Sequence, residues 1–206
     1  MKQPIIICLD LEGVLVPEVW ISLAEATKID TLRLTTRDIS DYDELMKKRL
    51  DILNAHSLRI QDIHAAVETL TPLEGAVDFL KELRSKYQVI ILSDTFYEII
   101  APLMNKLQYP TLFSHTLEVA TSGEITNYHL RQQDQKRKAV LAFQGLNFRV
   151  LAAGDSYNDT TMLQVADAGI FFRPPNAIVN EFPQFPVTQT YSELRQQLDK
   201  AALRAQ

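Results

Sequence analysis

The chain has 206 residues, of which 46% are apolar and 23% are charged, a composition typical of a globular protein with a sizeable core. Its 21 basic and 26 acidic residues give a formal net charge of −5, which disfavours nucleic acid and anionic membrane as partners. The single cysteine, Cys8, excludes an intrachain disulfide and fits a reducing compartment. No apolar run approaches the roughly 18 residues of a membrane span, so we expect a cytoplasmic protein.

The first predicted element is a short buried strand, Ile5 to Leu9, that runs into an acidic loop. Asp10 and Glu12 lie in this loop, and alternation along an extended chain places both carboxylates on one side. Such a pair can supply a nucleophile and a general acid/base, and its oxygens can hold a hard cation such as Mg²⁺. Taken alone, the pair is more often an exposed acidic loop.

A long segment after this strand, residues 18–71, contains neither glycine nor proline. The apolar spacing between Tyr42 and Leu53 predicts an amphipathic helix there, and Ile60 to Leu70 predicts another. Glycine and proline flank the segment on both sides, at Gly13 and Pro17 before it and at Pro72 and Gly75 after it. These positions of glycine and proline predict a helical insert that leaves the sheet after the first strand.

Two charged residues of the insert are candidates for binding a substrate. Arg49 falls near the centre of the apolar helix face, where a buried guanidinium needs an anionic partner such as a substrate carboxylate. The alternative is an arginine whose charged end reaches water. Glu18 can bind a substrate ammonium, or it can simply complement the positive end of a helix.

Strands and helices alternate along the rest of the chain. The predicted strands are Val89–Leu92, Val150–Ala153 and Gly169–Phe172, and the helices between them are Ala76–Lys86, Phe96–Leu107 and Lys138–Leu146. Continuous apolar runs are typical of parallel strands that are covered on both faces, so this order predicts an open α/β sheet with right-handed crossovers.

Three further segments differ from this alternation. Leu112–Val119 and Ile125–Leu130 flank Ser122-Gly123 and predict a β-hairpin. We expect an irregular loop over Pro174–Pro186 and a final helix over Ser192–Ala205.

Polar residues follow the strands at the edge where open α/β sheets bind ligands. Ser93 and Asp94 end the second run, and a hydroxyl with backbone amides entering a helix suits a phosphate, although an ordinary helix cap explains them as well. The third run leads into Gly154 to Asp159. Carboxylates clustered without a cation repel one another, so we expect a divalent metal with Asp155 as a ligand. Helix capping by Ser156, Asn158 or Asp159 explains only one of these polar groups.

Lys136, Arg137 and Lys138 begin a predicted helix, where cations oppose the helix dipole. This local cost suggests that one of them reaches an anion. We favour a solvated charge for Arg137 and Lys138 and keep Lys136 as the candidate. No chemistry is assigned to the four histidines or to Cys8.

Together these loops resemble the motifs of the haloacid dehalogenase-like phosphohydrolase superfamily, in order and over nearly the whole chain. Asp10 to Val14 resembles the first motif, with Asp10 matching the nucleophile. Ser93 resembles the second, Lys136 the third and Gly154 to Asp159 the fourth. The resemblance implies a Rossmann-like α/β core formed by residues 1–14 and 75–206 and a helical cap domain formed by residues 15–74.

The insert resembles the small cap of phosphoserine phosphatases, in which a glutamate holds the substrate ammonium and an arginine its carboxylate. Glu18 and Arg49 stand at the matching positions. Glu12 replaces the usual aspartate, and Ser93 to Phe96 replaces the usual Ser-Gly-Gly-Phe. Both departures resemble the bifunctional phosphoserine phosphatase and homoserine phosphotransferase group.

The resemblance implies a Mg²⁺-dependent enzyme of serine biosynthesis that passes a phosphoryl group through Asp10, with Glu12 as acid and base. The implied metal ligands are Asp10, the backbone carbonyl of Glu12 and Asp155, with Asp159 supporting them. The implied phosphate ligands are Ser93, the amide of Asp94 and Lys136. Glu18, Arg49 and Asn158 would then select an amino-acid phosphate.

Three alternatives stay open at this point. They are a phosphatase of another small ester, a transferase without phosphatase activity, and a non-catalytic phosphate- or metal-binding protein. The joint presence of Asp10, Ser93, Lys136 and Asp155 argues against the last. The expected partners are small molecules, phosphoserine and homoserine as acceptor, and the sequence is also compatible with a homo-oligomer.

Overall fold

A computed structural model describes residues 3–35, 38–39 and 41–204. Its strands are β1 (Ile5–Leu9), β2 (Gln88–Phe96), β3 (Thr111–Val119), β4 (Ile125–His129), β5 (Arg149–Gly154), β6 (Ala168–Phe172) and β7 (Val187–Thr188). Its α-helices are α1 (Val19–Thr27), α2 (Tyr42–Ala55), α3 (Ile60–Glu68), α4 (Ala76–Lys86), α5 (Tyr97–Lys106), α6 (Gln135–Gly145), α7 (Thr160–Val165), α8 (Asn176–Glu181) and α9 (Tyr191–Leu203). Short 3-10 helices lie at Asp30–Arg33 and Tyr157–Asp159.

The seven strands form one sheet in the order β4-β3-β2-β1-β5-β6-β7. All neighbouring pairs are parallel except β3 and β4, which form an antiparallel hairpin. The order places β1 and β5 side by side at the centre, so the loops that follow them meet at one edge of the sheet. The predicted α/β sheet and the predicted hairpin are therefore confirmed.

The apolar runs of the central strands are continuous because both faces of the sheet are covered. Ile7 and Leu9 of β1 belong to the larger apolar cluster, which also includes side chains of α1, α3, α4, α5 and α9. Ile6 and Cys8 point to the other face and pack in a smaller cluster with side chains of α6, α7 and α8. Alternate residues of β1 thus pack in two different apolar clusters, one on each face of the sheet.

Helices α1, α2 and α3 all lie in the insert between β1 and α4. The chain leaves and returns at adjacent points, because the Leu73 amide donates a hydrogen bond of 2.9 Å to the Leu15 carbonyl. Gly13 and Gly75 flank this exit and return with left-handed φ angles of 76° and 83°, a conformation that glycine adopts without steric cost. The insert is helical, as predicted.

Two local predictions are wrong. Strand β2 does not end at Leu92 but continues through Phe96, because β3 pairs with it again at Phe96 beyond an irregularity in register. Ser93 therefore lies inside a strand rather than at the start of a helix. The expected loop Pro174–Pro186 contains helix α8, which begins directly after Pro175 and buries Ile178.

Among the residues that the structure describes, no helix is both long and apolar enough to cross a membrane.

Candidate active site

Three carboxylates meet where β1 and β5 end. Oxygen atoms of Asp10, Asp155 and Asp159 lie within 4.8 Å of one another. The Asp10 amide donates a hydrogen bond of 3.0 Å to the Ala153 carbonyl, which fixes the end of β1 against the end of β5. Asp10 and Asp159 are buried. The parallel pairing of the two strands thus produces the predicted meeting of Asp10 with Asp155.

Lys136 is the buried cation of this cluster. Its Nζ lies 2.8 Å from Oδ1 of Asp10, 2.7 Å from Oδ1 of Asp159 and 3.7 Å from Oδ2 of Asp94. Burial alone would lower the pKa of Lys136, but the charges of Asp10, Asp159 and Asp94 raise it well above its usual value. Lys136 is therefore charged, and the anions that it reaches in this structure are carboxylates of the protein itself.

The cluster has more negative charge than Lys136 neutralises. Burial, followed by the charge of Asp159, raises the pKa of both Asp10 and Asp155, that of Asp155 to about 7. Asp159 is engaged on both oxygens, because Oδ1 meets Lys136 and Oδ2 accepts from the amides of Asp155 and Ser156 at 2.9 and 3.1 Å. A further cation would relieve the remaining repulsion between the carboxylates.

The donor set fits a hard cation such as Mg²⁺. Oδ1 of Asp155 is buried and has no hydrogen-bond partner among the described residues. A Cβ atom on Gly13 would overlap the Asp155 carboxylate, so only glycine lets the two loops approach this closely. Carboxylate oxygens are the ligands that Mg²⁺ prefers in proteins. Asp10 and Asp155 are thus the candidate ligands, and Asp159 is held too tightly by protein donors to act as more than a support.

Glu12 is held beside the cluster and near the start of the insert. Its Oε2 accepts a hydrogen bond of 3.1 Å from the amide of Val19. Burial, with the charge of Glu18 and a hydrogen bond to it as the next causes, raises the pKa of Glu12 to about 8. A carboxyl group with this pKa is mostly protonated at neutral pH and can still lose its proton, which suits a general acid and base.

A cavity of about 280 Å³ separates the sheet edge from the insert. Residues that line it from the sheet side include Asp10, Glu12, Ser93, Asp94, Thr95 and Asn158, and those from the insert include Glu18, Trp20, Tyr42 and Arg49. The predicted residues of both parts thus face one space. Lys136, Asp155 and Asp159 are not part of its wall.

Arg49 is buried at this cavity rather than reaching solvent. Its guanidinium lies 4.3 Å from the centre of the Trp20 ring, and Nη2 donates to the Leu34 carbonyl at 2.9 Å. Its Nε is buried without a hydrogen-bond partner among the described residues. Burial lowers the pKa of Arg49 to about 10, so the group stays charged at neutral pH. A buried cation with a spare donor is suited to bind an anion.

The Asp94 side chain is the centre of a hydrogen-bond network. It accepts from Gln135 Nε2 at 3.0 Å and from Asn158 Nδ2 at 2.9 Å, and His115 Nε2 lies 3.6 Å away. Burial alone would raise the pKa of Asp94, but the charge of Lys136 and these hydrogen bonds outweigh it and lower the pKa. Asp94 is therefore an anion that orients Asn158 at the cavity.

Gln135, His115 and Tyr42 are site residues that the sequence analysis missed. Gln135 is buried and also donates a short hydrogen bond to the Ser93 carbonyl, and the Tyr42 hydroxyl donates to the Asp94 carbonyl at 3.0 Å. The position of Gln135 directly before Lys136 was a weak signal. No local pattern distinguishes His115, because its role depends on the pairing of β3 with β2.

Comparison with known proteins places this geometry in a family. The model of the haloacid dehalogenase-like hydrolases matches residues 6–167. The phosphoserine phosphatase ThrH of Pseudomonas aeruginosa is 57% identical over 97% of this chain and 98% of its own length, and a phosphoserine phosphatase of Pseudomonas syringae is 57% identical over 97% of this chain and 84% of its own. A solved phospho-aspartyl intermediate analogue of phosphoserine phosphatase has the same fold, with a TM-score of 0.77 and 21% identity over 95% of this chain and 99% of that one.

Proposed function

The chain belongs to the haloacid dehalogenase-like hydrolase family, and from this premise we propose that it is a Mg²⁺-dependent phosphoserine phosphatase that also transfers the phosphoryl group to homoserine. The names of its two Pseudomonas relatives support the substrate. The observation that carries the proposal is a single cavity with Asp10 and Ser93 on one wall and Glu18 and Arg49 on the other. Such a cavity matches a phosphate at one end and an amino acid at the other.

Residues 15–74 would form the cap domain of this enzyme, on a core of residues 1–14 and 75–206. The contact between Leu73 and Leu15 supports this division, because it joins the two connections at their base. Since the insert contributes Glu18 and Arg49, the cap would select the substrate while the core holds the reacting groups. The activity would place the enzyme in serine biosynthesis in the cytoplasm.

Asp10, the backbone carbonyl of Glu12 and Asp155 would hold the Mg²⁺. When bound, the ion offsets the repulsion between the nucleophile and the phosphate. Asp159 would support this set through its fixed bonds to Lys136 and to the amides after β5.

In the first step, a carboxylate oxygen of Asp10 attacks the phosphorus of phosphoserine and forms an aspartyl-phosphate. The bond between phosphorus and the seryl oxygen breaks, and its electron pair stays on that oxygen. Glu12 gives its proton to the departing oxygen, so serine leaves as a neutral alcohol. The raised pKa of Glu12 supplies the acid that this step needs at neutral pH.

In the second step, Glu12 takes a proton from water or from the hydroxyl of homoserine. The resulting oxygen attacks the phosphorus, and the bond to Asp10 breaks with its electron pair returning to the carboxylate. Ser93, the amide of Asp94 and Lys136 would stabilise the charge on the transferring oxygens. Glu18 and Arg49 would hold the ammonium and the carboxylate, and Asn158, fixed by Asp94, would complete the selection of an amino-acid phosphate.

The decisive experiment measures three products from phosphoserine with Mg²⁺, in the presence and absence of homoserine. We expect serine and phosphate without homoserine, and phosphohomoserine in addition when homoserine is present. Asp10→Asn should reduce all three products by several orders of magnitude while the protein stays folded, because the amide is a poor nucleophile.

Each outcome of this experiment distinguishes between two candidate mechanisms or activities. Near-normal turnover by Asp10→Asn would remove the covalent mechanism. Hydrolysis that homoserine leaves unchanged, with no phosphohomoserine formed, would restrict the activity to that of a phosphatase. A panel of sugar and nucleotide phosphates tested in parallel shows whether another ester is preferred.

A further inference from the structure

Three buried side-chain polar atoms lack a hydrogen-bond partner within the described part of the chain. They are Arg49 Nε, Asp155 Oδ1 and Thr95 Oγ1. Native proteins leave few such groups, and each one calls for an explanation. The proposed function gives a ligand to Arg49 and to Asp155, but it gives none to Thr95.

Thr95 is placed to contact a ligand. It lies in β2 two residues after Ser93, and both residues line the 280 Å³ cavity. Its backbone is satisfied, since its amide donates to Ser93 Oγ at 3.2 Å and its carbonyl accepts from Ser114 Oγ. Only 4% of the residue is exposed, so water does not readily reach the hydroxyl.

A buried hydroxyl without a partner is less favourable than a methyl group of the same size. Valine would fill this position without that cost. A buried hydroxyl that is unpaired in the free protein, on a residue that lines a ligand cavity, is therefore best explained by a partner that arrives with the ligand.

The choice of ligand group follows from the acceptor sites that the bound amino acid offers to a hydroxyl donor. Arg49 donates one hydrogen bond from Nη2 to the Leu34 carbonyl and one from Nη1 to Met46 Sδ at 3.7 Å, and its Nε has no partner among the described residues. A carboxylate has two oxygens with about four acceptor sites, so it can accept a hydroxyl donor in addition to the donors of Arg49. Glu18 is an acceptor for the ammonium, and Ser93 stands at the phosphate end.

Building on the proposed function, we propose that Thr95 Oγ1 donates a hydrogen bond to the carboxylate of the bound amino acid and so shares its recognition with Arg49. Thr95 is then a specificity-determining residue. It favours substrates that carry a carboxylate over phosphate esters that lack one.

The test compares Thr95→Val, which removes the hydroxyl, with Thr95→Ser, which keeps it. KM and kcat are measured for phosphoserine and for phosphoethanolamine, which has the ammonium and the phosphate but no carboxylate. We expect Thr95→Val to lower kcat/KM for phosphoserine by about tenfold or more, to change that for phosphoethanolamine less than about twofold, and Thr95→Ser to resemble the wild type. Without ligand, Thr95→Val should melt at or above the wild-type temperature.

The outcomes distinguish this assignment from the proposed function. If wild-type protein does not hydrolyse phosphoserine, the proposed function fails and the assignment fails with it. If wild-type protein does, and Thr95→Val affects both substrates equally or neither, only the assignment is wrong. A clearly lower melting temperature of ligand-free Thr95→Val would show that the hydroxyl has a partner inside the protein, which also overturns it.

Discussion

At the scale of single residues, the site depends on one buried lysine between several carboxylates. Lys136 is 2% exposed and contacts Asp10 and Asp159 at hydrogen-bond distance. Removing one member of a buried ion pair destabilises a protein much more than replacing both members by apolar residues, because the remaining charge stays buried without compensation. The lysine therefore has a structural task in addition to its proposed contact with phosphate.

We expect Lys136→Met to lower the free energy of unfolding by about 3 kcal/mol near neutral pH, since Asp10 and Asp159 lose their cation. The loss should be smaller at about pH 5, where the carboxyl groups can take up protons instead. Urea unfolding in EDTA at both pH values measures the effect, and phosphoserine turnover should fall below detection.

Lys138 on the same helix offers a matched control, because its side chain is exposed. Lys138→Met should change the free energy of unfolding by less than about 0.5 kcal/mol. Equal stability of the two variants would show that the buried ion pairs contribute nothing to folding.

At the scale of secondary-structure elements, the β3–β4 hairpin joins the insert to the sheet. The Ile60 amide at the start of α3 donates to the Gly123 carbonyl at 2.8 Å, and Arg59 forms an ion pair with Glu124 at 2.8 Å. Tyr128 of β4 forms a short hydrogen bond with Asp43 of α2. The hairpin thus contacts helices α2 and α3 of the insert, and α2 contributes residues to the cavity wall.

Gly123→Ala tests the backbone geometry of the hairpin turn that makes this contact. Gly123 has a φ of 84°, and a Cβ atom there would overlap the side-chain amide of Gln61. Because that amide is the end of a flexible side chain, the main cost is the left-handed backbone, about 1–2 kcal/mol. Urea unfolding should show this loss.

Gly145→Ala is the corresponding control at the end of α6. A Cβ atom there would have no neighbour within 4 Å among the described residues, and its φ is not in the left-handed range. The control should be neutral or slightly stabilising. A Gly123→Ala variant as stable as this control would contradict the importance of the turn.

The same scale shows what the sequence can predict and where it cannot. Helix α4 was predicted with its observed bounds, because apolar spacing and Gly75 mark it locally. The end of β2 was not, because Ser93 and Asp94 interrupt the apolar run and the pairing of Phe96 with His115 of β3 lies beyond this interruption. Helix α8 was not predicted, because a segment with prolines at both ends is typical of an irregular loop, although proline is also common at a helix start.

The residues of the candidate site likewise fall into those that the sequence predicts and those that it does not. Asp10 and Asp155 were predicted together because both follow central strands, and parallel strands end at one edge. His115 and Gln135 were not, because each reaches Asp94 from a different element and neither has a local pattern that indicates it.

At the scale of the whole molecule, the uncompensated carboxyl groups predict an unusual dependence of stability on pH. The pKa of Asp155 rises from 3.8 to about 7 on folding and that of Glu12 from 4.5 to about 8, chiefly through burial. Between these values the two carboxyl groups bind more protons in the folded protein than in the unfolded chain. The linkage relation then makes the metal-free protein lose stability as pH rises from about 4 to about 8.

A bound divalent cation should remove much of this loss, because it replaces the protons at Asp155 and stabilises the folded state by mass action. We therefore expect melting temperatures in EDTA to fall as pH rises over this window, and the fall to be clearly smaller with excess Mg²⁺. Asp155→Asn is the matched variant: in EDTA it should show a shallower fall than the wild type, and Mg²⁺ should raise its melting temperature little. If the melting temperature in EDTA rises with pH, burial of the charged Asp155 does not destabilise the metal-free protein. If Mg²⁺ raises the melting temperatures of Asp155→Asn and the wild type equally, Asp155 is not a metal ligand.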